Sequence, residues 1–278
     1  MKKLISLEVI VLILATATAQ GDLTPNSASA DLDLQATITL SNGAVLTFVP
    51  NHGMNGAYGY VYTDVGGVVE KDEKNLGTWP NDTSSWYASA STSNGAANGS
   101  VTVNTAGFDY FIHGDAMVQG LGIGDYGLGM GDAYAWPDWL RTDVAGTATI
   151  TLDYTYTLDT RNTVGDAKAY VYMNAFFADH PGTNYLTATG DWTLGYGSNP
   201  NTTIVEYSRS IQAGDYVTLT GSVSWDIPIP NKNEPYNWWS LWAYGEAGVE
   251  VAPVPVPGAV LLGMLGFCVA GLKLRKLA

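Results

Sequence analysis

The chain has 278 residues, with 12 basic against 26 acidic side chains and a formal net charge of −14. Acidity of that size repels nucleic acid and anionic surfaces and favours cations or neutral molecules as partners. Cys268 is the only cysteine, so no intramolecular disulfide can form and the fold has to rest on its own core.

The first element is an address. Lys2 and Lys3 precede an apolar stretch over residues 4–14, interrupted by Glu8, and Ala17-Thr18-Ala19 follows before Gln20. A basic start, an apolar middle and small residues at Ala17 and Ala19 make a secretory signal peptide that is removed after Ala19. Residues 20–252 then form the exported body. It is more acidic than the whole chain, because Lys2, Lys3, Lys273, Arg275 and Lys276 lie in the termini against Glu8 alone.

Along the body, apolar and polar residues alternate with the period of half-buried strands. Leu34, Ala36, Ile38 and Leu40 alternate with Gln35, Thr37 and Thr39, and Ser41-Asn42-Gly43 supplies a turn before residues 45–49. Asn-Gly accepts positive φ, so this predicts a hairpin. Residues 58–63 predict a strand with Tyr58, Tyr60 and Tyr62 on one face, and the polar residues 63–85 read as a loop or weak hairpin. Two short strands over residues 86–92 and 100–103 flank a turn-forming segment at 93–99, and residues 108–113 and 116–119 give two more.

Residues 120–132 are glycine-rich and contain a GxGxxG match at Gly122, Gly124 and Gly127. A dinucleotide loop of that form opens a helix. No helical pattern follows, so the segment reads as a glycine-permissive strand packed against its neighbours. The clearest strand is residues 147–158, which set Ala148, Ile150, Leu152, Tyr154, Tyr156 and Leu158 against a threonine-rich face directed to water. Residues 168–178 are apolar on both faces and predict a central strand. Residues 204–211 and 216–225 flank an Ala213-Gly214-Asp215 turn, and residues 238–251 form the last strand. The pattern predicts an all-β chain, an antiparallel two-layer β-sandwich of jelly-roll type in a single domain.

Chemistry is sparse. His52, His113 and His180 are the only histidines, and none sits in a nucleophile motif. Asp31 and Asp33 alternate near the mature N-terminus, with Asp153 and Asp159 as a looser pair, and no carboxylate set of glycosidase type stands out. No catalytic residue and no organic cofactor is therefore expected, and a secreted glycoside hydrolase is the least favoured class. Asp125, Asp132, Asp138 and Asp143 fall in Gly-rich segments and offer oxygen ligands for calcium. Turn chemistry is the competing explanation of such aspartates.

Tryptophan concentrates in Trp136-Pro137-Asp138-Trp139 and Tyr236-Asn237-Trp238-Trp239-Ser240-Leu241-Trp242. Strand alternation puts Trp238 and Trp242 on one face with Ser240, and Trp239 on the other with Leu241 and Ala243. The expectation is a buried Trp239, with Trp238 and Trp242 partly exposed about 13 Å apart, a spacing that suits an extended glycan. Packing into a large core competes with that reading.

The chain ends in Pro253-Val254-Pro255-Val256-Pro257, an apolar run over residues 258–272 and the basic Lys273-Leu274-Arg275-Lys276. As a helix the run spans about 22 Å, short against a hydrocarbon core of about 30 Å, and the basic end should stay cytoplasmic. A Pro-rich motif, a transmembrane helix and a basic cluster in this order resemble the PEP-CTERM sorting signal of Gram-negative bacteria. The resemblance covers residues 253–278, with Pro255 and Pro257 as the motif prolines and Val256 where the family has Glu. It implies recognition by an exosortase, a membrane transpeptidase, and delivery to the cell surface or extracellular matrix. The body is similar to the sandwich cargo of that family only diffusely, through its strand, Ala-Gly-Asp turn, strand unit. The function expected is that of an exported, non-enzymatic surface or matrix protein. The alternative is a glycan-binding sandwich module with extracellular polysaccharide as partner, and an ordinary C-terminal anchor is the other reading of the tail.

Overall fold

The computed structural model describes residues 26–41, 43, 46–47, 53–77, 84–104, 109–122, 124–137, 141–163, 165–179, 183–184, 193–196, 203–229 and 239–252. The leader, the tail, His52, His180, Asp138, Trp139 and Trp238 lie outside them. In chain order the strands are β1 (Asn26–Leu40), β2 (Leu46–Thr47), β3 (Gly53–Val65), β4 (Val68–Gly77), β5 (Trp86–Thr92), β6 (Gly95–Asn104), β7 (Asp109–Leu121) and β8 (Tyr126–Pro137). There follow β9 (Arg141–Thr142), β10 (Gly146–Asn162), β11 (Ala167–Asp179), β12 (Thr183–Asn184), β13 (Thr193–Tyr196), β14 (Thr203–Gln212), β15 (Tyr216–Ile229) and β16 (Trp239–Val251). Among the described residues no helix is long and apolar enough to cross a membrane.

Two antiparallel sheets form a sandwich. The first has six strands in the order β15-β10-β1-β7-β6-β5, and the second has eight, in the order β13-β14-β11-β16-β8-β3-β4 with β12 beside β11. The inner faces meet where β7 lies against β8 and β16, β6 against β3 and β8, and β1 against β16 and β11.

Period-two alternation drives this arrangement, because it gives each long strand one apolar face that only the opposite sheet can cover. On the first sheet Leu32, Leu34, Ile150, Leu152 and Leu158 are fully buried, each worth roughly 1.5–3 kcal/mol of transfer free energy. Across from them the second sheet contributes Val171, Met173, Leu241 and Val249. At this wide end the buried Tyr156 and Tyr207 hydroxyls share a 2.7 Å hydrogen bond between β10 and β14.

The other end is thin. There the inner faces carry mainly Ala and Gly, with Ala88, Ala90, Ala97, Gly99, Gly114 and Ala116 against Ala57, Gly59, Gly131 and Ala133. A Cβ on Gly131 would lie 1.9 Å from the Asn98 carbonyl oxygen, and one on Gly99 would lie 1.9 Å from that of Asp132. Backbone meets backbone, far inside the roughly 10 Å separation of ordinary stacked sheets. The glycine-rich segment is thus explained for Gly127, Gly129 and Gly131, which point inward from β8, whereas Gly120 and Gly124 take positive φ at the turn before it.

Several expected boundaries shift. Of the segment 45–49 expected to fold back on β1, the described residues Leu46 and Thr47 form β2, which pairs with β9, whereas β1 pairs with β7 and β10. The polar residues 63–85 hold a regular hairpin arm, β4, entered through Gly66 and Gly67 at positive φ. Residues 108–113 and 116–119 join as the single strand β7, because Gly114 lets the backbone pass close to Gly131 without a break. The Ala213-Gly214-Asp215 turn is present, with Gly214 at φ 87°.

Candidate functional site

The outward face of the first sheet is hydroxyl-rich. Thr149, Thr151, Thr155 and Thr157 of β10 bond across the ladder to Asp226, Ser224, Thr220 and Thr218 of β15. Beside this row, a shallow depression of about 790 Å³ is lined by Gln35, Phe111, His113, Asp153 and Thr220, among others. His113 lies between two acids, with Nδ1 2.9 Å from Asp33 and Nε2 2.9 Å from Asp115. The hydrogen bond to Asp115, then that to Asp33, outweighs burial and pushes its pKa up to about 9. Asn98 donates to both oxygens of Asp115 (2.9 and 3.1 Å) and accepts from the Tyr87 hydroxyl (3.1 Å). Asp31 completes the patch, its own pKa raised by burial.

The outward face of the second sheet is aromatic. Alternation directs Tyr58, Tyr60 and Tyr62 of β3, Tyr126, Tyr134 and Trp136 of β8, Trp242 and Tyr244 of β16, and Tyr170 and Tyr172 of β11 away from the core. All ten are half-buried, because the rings crowd one another. Trp242 is the hub. It stacks on Tyr134 at 5.5 Å between centroids, stacks with Tyr244 at 6.5 Å and meets the edge of Trp136 at 5.9 Å. Two tyrosines lie over a glycine of the neighbouring strand, Tyr134 over Gly56 and Tyr170 over Gly248, where a Cβ would come within 2.6 and 2.3 Å of the ring.

Carboxylates are set between these rings. Asp132 of β8 and Glu246 of β16 are direct cross-strand partners. Glu246 accepts from the Tyr170 hydroxyl at 2.8 Å and the Tyr244 hydroxyl at 2.5 Å, one on each oxygen. Asp132 is only 9% exposed. Burial first, then the charge of Glu246, pushes its pKa up to about 7, opposed by a hydrogen bond from Tyr244. Burial and the same two acids push the Tyr244 phenol well up, so it stays a donor. A relay continues outward, from Trp242 Nε1 to Asn174 Oδ1 (2.5 Å), from Asn174 Nδ2 to the Tyr172 hydroxyl (3.1 Å) and from that hydroxyl to Glu206 (2.9 Å).

Among the described residues, the aspartates expected to bind calcium, Asp125, Asp132 and Asp143, do not gather as a metal site. Asp125 stands in the turn between β7 and β8, where its carboxylate accepts from the backbone N–H of Gly122 (2.6 Å) and Gly66 (2.8 Å). Asp132 is in the aromatic face, Asp143 is exposed beyond β9, and Asp138 lies outside the described residues. Among the described residues, the group of three or more His, Cys, Asp and Glu side chains close enough to share an ion is Asp31, Asp33 and His113. Both ring nitrogens of that histidine are occupied by carboxylates. Trp242 is half-buried on the outward face, as alternation requires, and Trp239 begins β16.

The Asp132–Glu246 pair was missed. Each acid stands alone in its own segment, and the two meet only through the β8–β16 register. The available signal was the alternation of Asp132, Tyr134 and Trp136 with Gly and Ala, mirrored by Trp242, Tyr244 and Glu246. The chain matches no family model, and neither a curated protein nor a solved structure is similar to it.

Proposed function

We propose that this chain is an exported, non-enzymatic surface or matrix protein, sorted through its PEP-CTERM-like tail, whose sandwich holds carbohydrate on the aromatic face of the second sheet. The observation that carries the reading is the Trp242-centred cluster of rings interleaved with hydrogen-bonding carboxylates. Sugar rings present apolar C–H faces and a rim of hydroxyls, and aromatic planes beside fixed acceptors satisfy both. Binding is favoured over hydrolysis by the state of the acids. Both oxygens of Glu246 accept from phenols, which fixes the carboxylate as an acceptor with lone pairs left for a ligand's donors and not as a proton donor.

The test is titration with neutral and charged hexasaccharides, read by calorimetry. Replacing Trp242 and Tyr134 together with Ala should weaken the bound glycan at least about tenfold, equivalent to ~1.4 kcal/mol. Unchanged affinity in a double variant that keeps its fold would remove the site. Sorting is tested separately by intact mass, where protein recovered from the surface should lack residues 273–278. A full C-terminus on membrane-retained protein in an exosortase-bearing host would make the tail an ordinary anchor.

A further inference from the structure

The centre of the aromatic face carries negative charge without a cation of its own. Strands β8 and β16, which carry its centre, contain no Lys, Arg or His. Asp132 and Glu246 sit directly opposite each other there, with Cβ atoms about 4.5–5.5 Å apart as cross-strand partners. The cations on neighbouring strands show what the rings accept. Lys71 Nζ lies 5.2 Å from the Tyr60 ring centroid on one side, and Lys168 Nζ lies 5.1 Å from that of Tyr170 on the other. The protein's own ammonium groups therefore already use this face as a cation–π surface, and the stretch between them has carboxylates and rings but no ammonium.

We infer that the ligand is a cationic amino-sugar polymer, a de-N-acetylated hexosamine chain with a protonated amino group at Asp132 and Glu246 and its pyranose rings on the flanking aromatics. This rests on the carbohydrate-binding reading of the same face. Burial first and the charge of Glu246 second raise the pKa of Asp132, and an ammonium group beside the two acids would relieve the second of these causes. A uronic acid or sulfated glycan would bring like charge to the same place and be repelled. A neutral glycan would gain the stacking but leave the carboxylate pair uncompensated. A bare divalent ion suits the pair less well, since two carboxylates supply too few oxygens and the rings supply none.

The experiment uses the full-length chain in a polyoxyethylene detergent, which has no sugar headgroup to compete. Glucosamine hexamer, N-acetylglucosamine hexamer and an oligouronate are titrated at low and at raised salt. The glucosamine hexamer should bind at least about tenfold more tightly than its acetylated twin and lose most of that margin at raised salt, and the oligouronate should not bind. Glu246→Gln should abolish the margin, bringing the glucosamine hexamer to the affinity of its acetylated twin. Should that variant unfold, Asp132→Asn, which removes charge from the other side of the pair, carries the same expectation. Equal binding of the two hexamers, or a margin that survives both substitutions, would overturn the amino-sugar inference and leave carbohydrate binding standing. Failure of all three sugars to bind would remove both.

Discussion

His113 carries a pH dependence whose sign follows from its two carboxylate partners. Its folded pKa is raised to about 9 from an ordinary value of 6.5, because the positive form is held by Asp115 and Asp33 and faces Asp31 as well. The folded state therefore binds the proton more tightly than the unfolded chain, so the stabilisation is full below pH 6.5 and fades as pH rises through about 9. Chemical denaturation across that window should show stability falling, and His113→Gln should flatten that part of the profile. A profile equally steep in the variant would assign the pH dependence to other groups. At Gly131 the prediction concerns space. An added methyl meets the Asn98 and Asp115 carbonyl oxygens at 1.9 and 2.4 Å, both backbone atoms with no rotamer to escape into. Gly131→Ala should cost at least the ~1–3 kcal/mol of an overpacked core, measured by urea titration, whereas Gly43→Ala, with nothing within 4 Å but a positive φ, should cost less.

At the scale of elements, the free side of β5 shows how one edge is managed. Asp72 of β4 accepts from the Ser91 N–H at 2.9 Å, and Glu70 accepts from the Ser93 N–H at 2.7 Å and the Ser93 hydroxyl at 3.0 Å. Acidic side chains thus take the place of a missing strand and close one side of the sandwich, a device that blocks edge-to-edge pairing. Replacing both with Ala should cost about 1–3 kcal/mol and raise the concentration dependence of light scattering, while either single change should do less. If scattering is unchanged, the edge is protected by something other than these acids. The sequence made β10 and β15 legible because each is long and strictly alternating, and it marked the tyrosine face of β3 for the same reason. It left β4 open between a loop and a weak hairpin, because both faces of the strand are polar: one caps β5 and the other, with Lys71 and Glu73, joins the aromatic face. It also suggested a false hairpin after β1, since Asn-Gly reports only a local turn, whereas the pairing of β1 is decided by two distant strands. The Asp132–Glu246 pair was hidden for the same physical reason, as register between strands more than a hundred residues apart leaves no local trace.

For the molecule as a whole, the thin end sets the histidine-bearing outer face and the aromatic outer face back to back. Asn98 of the histidine patch and Asp132 of the aromatic face lie on opposite outer surfaces at the point where the sheets touch through Gly99 and Gly131. Both surfaces are acidic, in a chain with net charge −14. Self-repulsion of that kind destabilises the compact state and is relieved by screening, with no need for a specific ion. A bound calcium would behave differently, because stabilisation by a ligand follows its dissociation constant and not the ionic strength. The geometry of the aspartates favours screening, since the Asp125 carboxylate already serves two backbone N–H groups and Asp132 faces Glu246 among tyrosines. Melting temperature should therefore rise gradually with added salt, and calcium, magnesium and sodium should give nearly the same curve once matched for ionic strength. A rise confined to calcium and saturating near millimolar concentration would contradict this and restore a calcium site, which alanine replacements at Asp125, Asp138 and Asp143 would then locate.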